Sequence, residues 1–175
     1  MDIYFLNLND FPQKTLNEFI SAHKENIGYS DKLKQYQHYA GKYLLKYVLN
    51  NEYGINEFET EIIEGKPYLK NLPYYFSISH SKNLVGLAIG EKNLGFDIEY
   101  NKTQRAFEKI AKRYNKEING QKEFYEFWTK HEAQIKLKSC KKDLFFVTGT
   151  INDDFTYSVA CEESFVIYNF NTINV

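Results

Sequence analysis

The sequence contains few of the features that mark disulfide-rich, strongly charged or membrane-spanning proteins. It has two cysteines, one methionine, one tryptophan and three prolines in 175 residues. Cys140 and Cys161 form no CxxC or CxxH spacing, so we expect reduced thiols and a cytoplasmic protein. The 22 basic and 23 acidic residues nearly cancel. No global field therefore points to nucleic acid or to an anionic membrane as a partner.

Long apolar runs are also missing. The first residues, MDIYFLNLNDF, carry an early acidic residue, and we expect neither a signal peptide nor a membrane span. No P-loop, GxGxxG or zinc-ligand spacing occurs. What the chain does have is aromatic bulk, with 15 tyrosines and 14 phenylalanines. This is enough to build the core of one compact domain or of two small halves.

The hydrophobic periodicity predicts a mixed helix and strand protein. Apolar residues at spacings of three and four predict a long helix over residues 30–51. Further helices are expected over 14–23, 104–113 and 122–138, and strands over 3–8, 58–65, 76–80, 154–162 and 165–171. Residues 65–75 are rich in turn formers and are expected to be a connection.

Two apolar segments, 84–90 and 94–99, are separated by the short polar sequence EKN. Their length and spacing predict an antiparallel hairpin. In such a hairpin the start of the first strand lies beside the end of the second. Ser79 and His80 should then lie near Asp97 and Glu99.

Asp97 and Glu99 are two residues apart in a predicted strand, so their carboxylates leave the same face. Oxygen pairs of this kind favour a hard cation such as Mg²⁺, which binds one or two carboxylates together with water and substrate phosphate. The alternative is a solvated strand edge with no ligand.

Glu132 and Lys136 share one face of the predicted helix over 122–138, close to Trp128. They could form a simple helical ion pair, stabilising by about 0.2 to 0.5 kcal/mol. The apolar side of a helix is, however, a costly place for charges that meet no ligand.

The segment Ser79-His80-Ser81 lacks the GxSxG elbow of hydrolases, and no acid at a known spacing orients the histidine. His80 is either a turn histidine with satisfied hydrogen bonds or a donor to an anion. Lys66, in the sequence GKP, is either a solvated turn lysine or a lysine whose direction its glycine and proline neighbours fix.

Four motifs occur in order: GKP (65–67), FSISHS (76–81), GFDIE (95–99) and FWTKHEAQIK (127–136). Together they resemble the 4′-phosphopantetheinyl transferase superfamily, in its surfactin-type branch, over roughly residues 19–139. The resemblance implies Mg²⁺-dependent transfer of the phosphopantetheine arm of coenzyme A to a serine of an apo acyl or peptidyl carrier protein, with Mn²⁺ as a possible substitute ion. The by-product would be adenosine 3′,5′-bisphosphate.

The resemblance also implies the roles of individual residues. It makes Asp97, Glu99 and Glu132 the metal carboxylates. Glu132 would also be the base for the carrier serine, and Lys136 would contact the pyrophosphate. The residues it places against the rest of coenzyme A are Lys24, His38, Lys66, Ser79 and His80.

The fold implied by the resemblance is α+β, with two similar α/β halves related by a pseudo-two-fold and a ligand cleft between them. The halves would be residues 1–94, with the coenzyme A phosphate contacts, and 95–175, with the carboxylates and the catalytic helix. Such a pseudo-dimeric chain could work as a monomer. Its partners would be coenzyme A and the carrier protein, with no nucleic acid and no membrane.

The chain departs from the family pattern in both halves. The first-half helix, often arginine-rich in relatives, here offers Gln37, His38 and Lys42. His131 stands where the family usually has a lysine before the helix glutamate, and KSCKKD replaces a glycine-rich turn. These changes leave a second hypothesis, a catalytically weakened member that binds coenzyme A or a carrier protein. A metal-dependent phosphohydrolase is less favoured, because no residue cluster for a second metal is visible.

Overall fold

The computed structural model describes residues 1–23, 31–102 and 107–173. The helices in these ranges are α1 (Gln13–Ala22), α2 (Lys32–Glu52), α3 (Phe107–Arg113) and α4 (Gln121–Leu137). The strands are β1 (Asp2–Asn7), β2 (Thr60–Ile63), β3 (Lys66–Leu69), β4 (Tyr75–Ser81), β5 (Leu84–Gly90), β6 (Leu94–Tyr100), β7 (Phe145–Ile151), β8 (Phe155–Cys161) and β9 (Asn169–Thr172). None of the described helices is both long enough and apolar enough to cross a membrane.

The described strands form three sheets. Their orders are β4-β5-β1-β9, β2-β3 and β6-β8-β7. All neighbouring strands are antiparallel except β1 and β9, which are parallel. Because β9 pairs with β1, a strand from the far side of the predicted boundary at residue 94 completes the first sheet.

The two larger sheets pack between two helical layers. One face of the β4-β5-β1-β9 sheet packs on α2, where Leu6 and Leu87 meet Leu44 and Val48 in one buried cluster. Its other face packs on the β6-β8-β7 sheet through a second buried cluster that includes Phe5 and Phe96. The far side of that second sheet is covered by α4. The order of layers is therefore helix, sheet, sheet, helix.

The described structure is a mixed α+β fold, as expected. The predicted helices are confirmed where the structure describes them. The long helix begins at Lys32 because the side chain of Asp31 accepts hydrogen bonds from the N–H groups of Leu33 and Lys34. Residues 65–75 are not only a connection, since β3 lies there and pairs with β2. Strand β7 was not predicted from the sequence, and β9 occupies only the end of the strand expected over 165–171.

The predicted hairpin of residues 84–90 and 94–99 is wrong. Strand β5 pairs with β4 on one edge and β1 on the other, so it has no free edge for β6. Strand β6 pairs instead with β8, in the other sheet. All seven residues of β5 are buried, because this central strand is covered on both faces. A strand with one solvated face would alternate polar and apolar residues.

Strands β4 and β6 run in the same direction and are joined through side chains. The hydroxyl oxygens of Ser77, Ser79 and Ser81 accept hydrogen bonds from the backbone N–H groups of Phe96, Ile98 and Tyr100, at 3.1, 3.2 and 3.0 Å. These three contacts, named here the serine ladder, satisfy N–H groups on the edge of β6 that faces away from β8. Buried N–H groups left without an acceptor would destabilise the fold.

Helix α4 contacts β6 backbone to backbone at Gly95. A Cβ atom at this position would lie 1.9 Å from the carbonyl oxygen of Ala133 and 2.5 Å from the nitrogen of Leu137. Only glycine permits so close an approach. The contact sets the distance between α4 and β6, and therefore which side chains of the helix reach the strand.

We expect Gly95→Ala to lower the free energy of unfolding by about 3 kcal/mol, the upper end of the usual range for overpacking, because rigid backbone blocks the new methyl group. Urea denaturation measures this loss. The control is Gly149→Ala, whose Cβ would have atoms of the Tyr157 side chain as its nearest neighbours, the closest at 2.8 Å. The end of a side chain shifts at lower cost than helix backbone, so the control should lose clearly less. Equal losses in the two variants would contradict the proposed backbone contact.

Candidate functional site

The first part of the site joins β4, β6 and α4. The ammonium of Lys136 donates hydrogen bonds to Asp97 Oδ1 at 2.7 Å and to Ser79 Oγ at 2.9 Å. The hydroxyl of Ser79 donates to the same Asp97 oxygen at 2.8 Å. Asp97 is buried, and Lys136 keeps about a third of its side chain exposed. Because Lys136 is partly open to solvent, a ligand can approach the buried Asp97 carboxylate from the side of this lysine.

Glu99 lies one strand repeat further along β6, and both of its oxygens are held. Ser81 Oγ donates to Oε2, and Trp128 Nε1 donates to Oε1, each at 3.2 Å. Since residues two apart on a strand project from one face, Asp97 and Glu99 present their carboxylates to the same side. That side is covered by α4.

Glu132 lies between these two contacts on α4. Trp128, Glu132 and Lys136 follow each other at intervals of four residues, which places them on one helix face. Trp128 reaches Glu99 and Lys136 reaches Asp97. The half-buried Glu132 makes no side-chain hydrogen bond or ion pair with any described residue, so the alternative of an ion pair with Lys136 is not observed in the described structure.

The carboxylates of this site are candidate ligands for a metal ion. In the described ranges, no three or more histidine, cysteine, aspartate or glutamate side chains lie close enough to form a metal-binding group. Two observations nonetheless fit Mg²⁺. Oδ2 of Asp97 is buried and has no hydrogen-bond partner in the described structure, and the nearby donors are carboxylate oxygens, which hard cations prefer. The joint site of Asp97, Glu99 and Glu132 stays a prediction.

The opposite face of β4 borders a cavity of about 820 Å³ between α1, α2, β2 and β4. Phe76, Ile78 and His80 line it from β4, and other apolar side chains such as Phe19 and Leu45 continue its wall. The basic side chains in the lining are His23, His38, Lys42, Lys46 and His80, with Glu57 as an acidic one. A cavity with apolar walls and basic groups fits an anionic ligand that has an apolar or aromatic part.

Of the basic groups in the cavity lining, His80 is the closest in sequence to Asp97. Desolvation, and then the positive charge of Lys136, lower the pKa of His80 below its usual range. At neutral pH the free protein therefore holds this imidazole mainly uncharged. An anion bound in the cavity would reverse the shift, because it favours the protonated ring.

The resemblance places Ser79 and His80 together against a phosphate of coenzyme A. In the structure their side chains point to opposite faces of β4, because successive side chains of a strand alternate. His80 faces the cavity. Ser79 faces β6, is buried, and uses its hydrogen on Asp97. The side chain of His38 also borders the cavity, so His38 and His80 are brought together. Lys24 lies outside the described residues.

Lys66 is buried in the structure and does not line the cavity. Its ammonium donates to Asn93 Oδ1 at 2.6 Å, to the carbonyl of Leu94 at 2.7 Å and to that of Leu137 at 3.4 Å. These bonds tie the start of β6 to the end of α4. They use all three N–H groups of the ammonium, so a phosphate would have to displace one of them. Burial lowers the pKa of Lys66 to about 8.

His131 sits among aromatic rings on the neighbouring side of α4. Its ring centroid lies 4.5 Å from that of Tyr114, 5.7 Å from Trp128 and 6.1 Å from Phe127. Tyr114 also packs edge-on against Phe127 and Trp128. His131 is therefore part of a ring cluster that supports Trp128.

The contacts of Ser81 and Trp128 with Glu99, and the place of Lys46 in the cavity lining, were not predicted from the sequence. The contact of Ser81 had a signal, since the alternation of serines at 77, 79 and 81 matches the spacing of Asp97 and Glu99. The sequence predicts Trp128 only as part of the apolar side of the helix. The cavity lysines come from α2 and lie one helical turn apart.

The sequence was also compared with known proteins. It matches none of the protein-family models, and the search of curated proteins gave no significant match. A function for this chain is therefore inferred from the four motifs and from the geometry of the site.

Lys66→Met tests the buried ammonium through the pH dependence of stability. The pKa is about 8 in the folded protein, against 10.5 for a lysine side chain in water. Between these values the unfolded chain binds more protons, so the contribution of Lys66 to stability rises with pH. The stability of wild type relative to Lys66→Met should therefore increase between pH 8 and pH 10 in urea denaturation.

The control for this experiment is Lys14→Met, because the side chain of Lys14 is almost fully exposed. Its stability relative to wild type should stay constant over the same pH range. A difference between wild type and Lys66→Met that falls or stays flat with pH would show that burial does not hold the ammonium in the inferred way.

Proposed function

We propose that this protein transfers the 4′-phosphopantetheine arm of coenzyme A to a serine of an apo acyl or peptidyl carrier protein. One observation carries the proposal: Lys136 of the fourth motif lies 2.7 Å from Asp97 of the third and 2.9 Å from Ser79 of the second. Lys66 of the first motif bonds to Leu94 and Leu137, which directly adjoin the third and fourth motifs. The four motifs, although far apart in the sequence, are thus hydrogen bonded to one another or to directly adjoining residues.

The cavity supports the coenzyme A part of the proposal. Its apolar wall suits the adenine ring, and its histidines and lysines suit phosphate groups. His80 and His38 are the proposed donors to the nucleotide phosphates, with Lys24 as a further lysine that the resemblance implies. Lys66, which the resemblance also implies, would take part only by giving up one of its three hydrogen bonds within the protein. Ser79, on the other face of β4, is hydrogen bonded to Asp97 and Lys136.

The reaction forms a bond between the carrier serine oxygen and the phosphorus that carries the pantetheine. The bond from that phosphorus to the bridging oxygen breaks, and adenosine 3′,5′-bisphosphate leaves. Glu132 accepts the proton of the serine hydroxyl, directly or through water. Lys136 neutralises charge on the departing phosphate.

Mg²⁺ bound by Asp97, Glu99 and Glu132 would supply positive charge at the pyrophosphate oxygens. The proposed fold has two similar halves with a cleft between them, as the resemblance implies. The proposed location is the cytoplasm, as the two cysteines imply. The weakened binding module stays the second candidate, because His131 occupies the position of a family lysine.

Incubation with coenzyme A, Mg²⁺ and a panel of apo carrier proteins should add the mass of the arm to at least one carrier. Glu132→Gln should lower the rate by about 10² to 10⁴, the usual effect of losing a general base. Mass spectrometry of the carrier measures both. Glu126→Gln, on another face of α4, is the matched control and should keep the rate. Coenzyme A binding without transfer to any carrier would favour the binding module.

Coenzyme A binding should strengthen as the pH falls from 8 to 6. The pKa of His80 is lowered in the free protein, and a bound phosphate favours the protonated ring, so binding takes up a proton. His80→Gln should bind about tenfold more weakly at pH 6, and its affinity should depend less on pH. Calorimetry with coenzyme A alone measures both effects.

The control for that variant is His131→Gln, whose ring does not line the cavity. It should keep the pH dependence of wild type. If His80→Gln and wild type changed affinity with pH in the same way, His80 would not be the group that takes up the proton.

A further inference from the structure

Ser81 repeats, two residues along β4, the contacts that Ser79 makes with Asp97. In each case the serine accepts a hydrogen bond from the N–H of one β6 residue and donates its own hydrogen to the carboxylate of the residue before it. For Ser81 these partners are Tyr100 N, at 3.0 Å, and Glu99 Oε2, at 3.2 Å. Since the N–H fixes the hydroxyl oxygen, the remaining hydrogen is aimed at the carboxylate.

Trp128 completes the hold on Glu99 from α4. Its indole N–H donates to the second carboxylate oxygen, Oε1, at 3.2 Å. The indole itself is fixed by stacking on Phe124, with ring centroids 6.0 Å apart, and by the edge of Tyr114 at the same distance. An otherwise flexible glutamate is thus held at both oxygens by two partners that are themselves fixed.

We propose that Ser81 and Trp128 are positioning residues that hold the Glu99 carboxylate in the orientation needed to bind a divalent cation. This inference rests on the proposed function only in taking Glu99 as a metal carboxylate. Neither residue touches the reacting atoms. A glutamate that is already oriented loses less side-chain freedom when it binds an ion, so its affinity for the ion is higher.

The chain contains its own control for this role. Ser77 makes the same ladder contact, with the N–H of Phe96 at 3.1 Å. The residue before Phe96 is Gly95, which has no carboxylate. Ser77→Ala therefore removes a ladder bond alone, whereas Ser81→Ala removes a ladder bond and a carboxylate contact. The difference between the two variants isolates the positioning role.

The experiment is a titration of the full chain with Mn²⁺ alone, followed by electron paramagnetic resonance of the free ion. Ser81→Ala should weaken Mn²⁺ binding about tenfold, as expected when a partner of a metal ligand is lost. Trp128→Phe, which keeps a ring but removes the N–H, should act in the same direction. Ser77→Ala should stay within twofold of wild type, and Ser81→Thr, which keeps the hydroxyl, should restore binding.

Wild-type affinity in Ser81→Ala, equal weakening in Ser77→Ala, or no Mn²⁺ binding by the wild-type protein would each overturn the inference. The transfer assay separates it from the proposed function. If the Mn²⁺ affinities follow the expected pattern and no carrier accepts the arm, the proposed function fails and the positioning role stands. If transfer occurs, Ser81→Ala should raise the Mg²⁺ concentration at half-maximal rate more than it lowers the rate at saturating Mg²⁺.

Discussion

The site depends on how the backbone N–H groups on the outer edge of β6, the edge away from β8, find hydrogen-bond acceptors. One edge of this strand pairs with β8, and the other carries three N–H groups that bond to the hydroxyls of the serine ladder instead of to a neighbouring strand. Hydroxyl groups can accept from the backbone and still donate. The serine ladder therefore joins the two sheets, and each serine still has a hydroxyl hydrogen to donate. Ser79 donates its hydrogen to Asp97, and Ser81 donates its hydrogen to Glu99.

A second constraint fixes α4 over this strand. Gly95 allows the helix backbone to touch β6 at one end, and the buried ammonium of Lys66 ties the start of the strand to the end of the helix. A buried charge is costly unless it is hydrogen bonded. The hydrogen bonds of Lys66 therefore link β6 and α4, the two elements that carry the carboxylates. With these elements fixed, Trp128 and Lys136 reach Glu99 and Asp97 by helical spacing alone.

The sequence predicted much of this arrangement, and partly for a wrong reason. Ser79 does lie beside Asp97, at 2.8 Å, but the predicted hairpin that suggested it does not exist. Helical periodicity is a local property, so α2 and α4 could be predicted from their own residues. The pairing of β6 with β8 joins residues about 60 positions apart, and no local pattern specifies it. The burial of Lys66 likewise depends on Leu94 and Leu137, which only the tertiary fold brings to it.

The alternation of β4 explains why a serine and a histidine stand next to each other in this chain. Successive side chains of a strand point to opposite faces, so Ser79 serves the carboxylates while His80 serves the cavity. The two places are separated by little more than the thickness of one strand. Strand β4 is also an edge strand of its sheet. A ligand that contacts both faces must therefore pass around the edge or the end of β4. The proposed substrate, coenzyme A, is long and flexible, with its pyrophosphate between nucleotide and pantetheine.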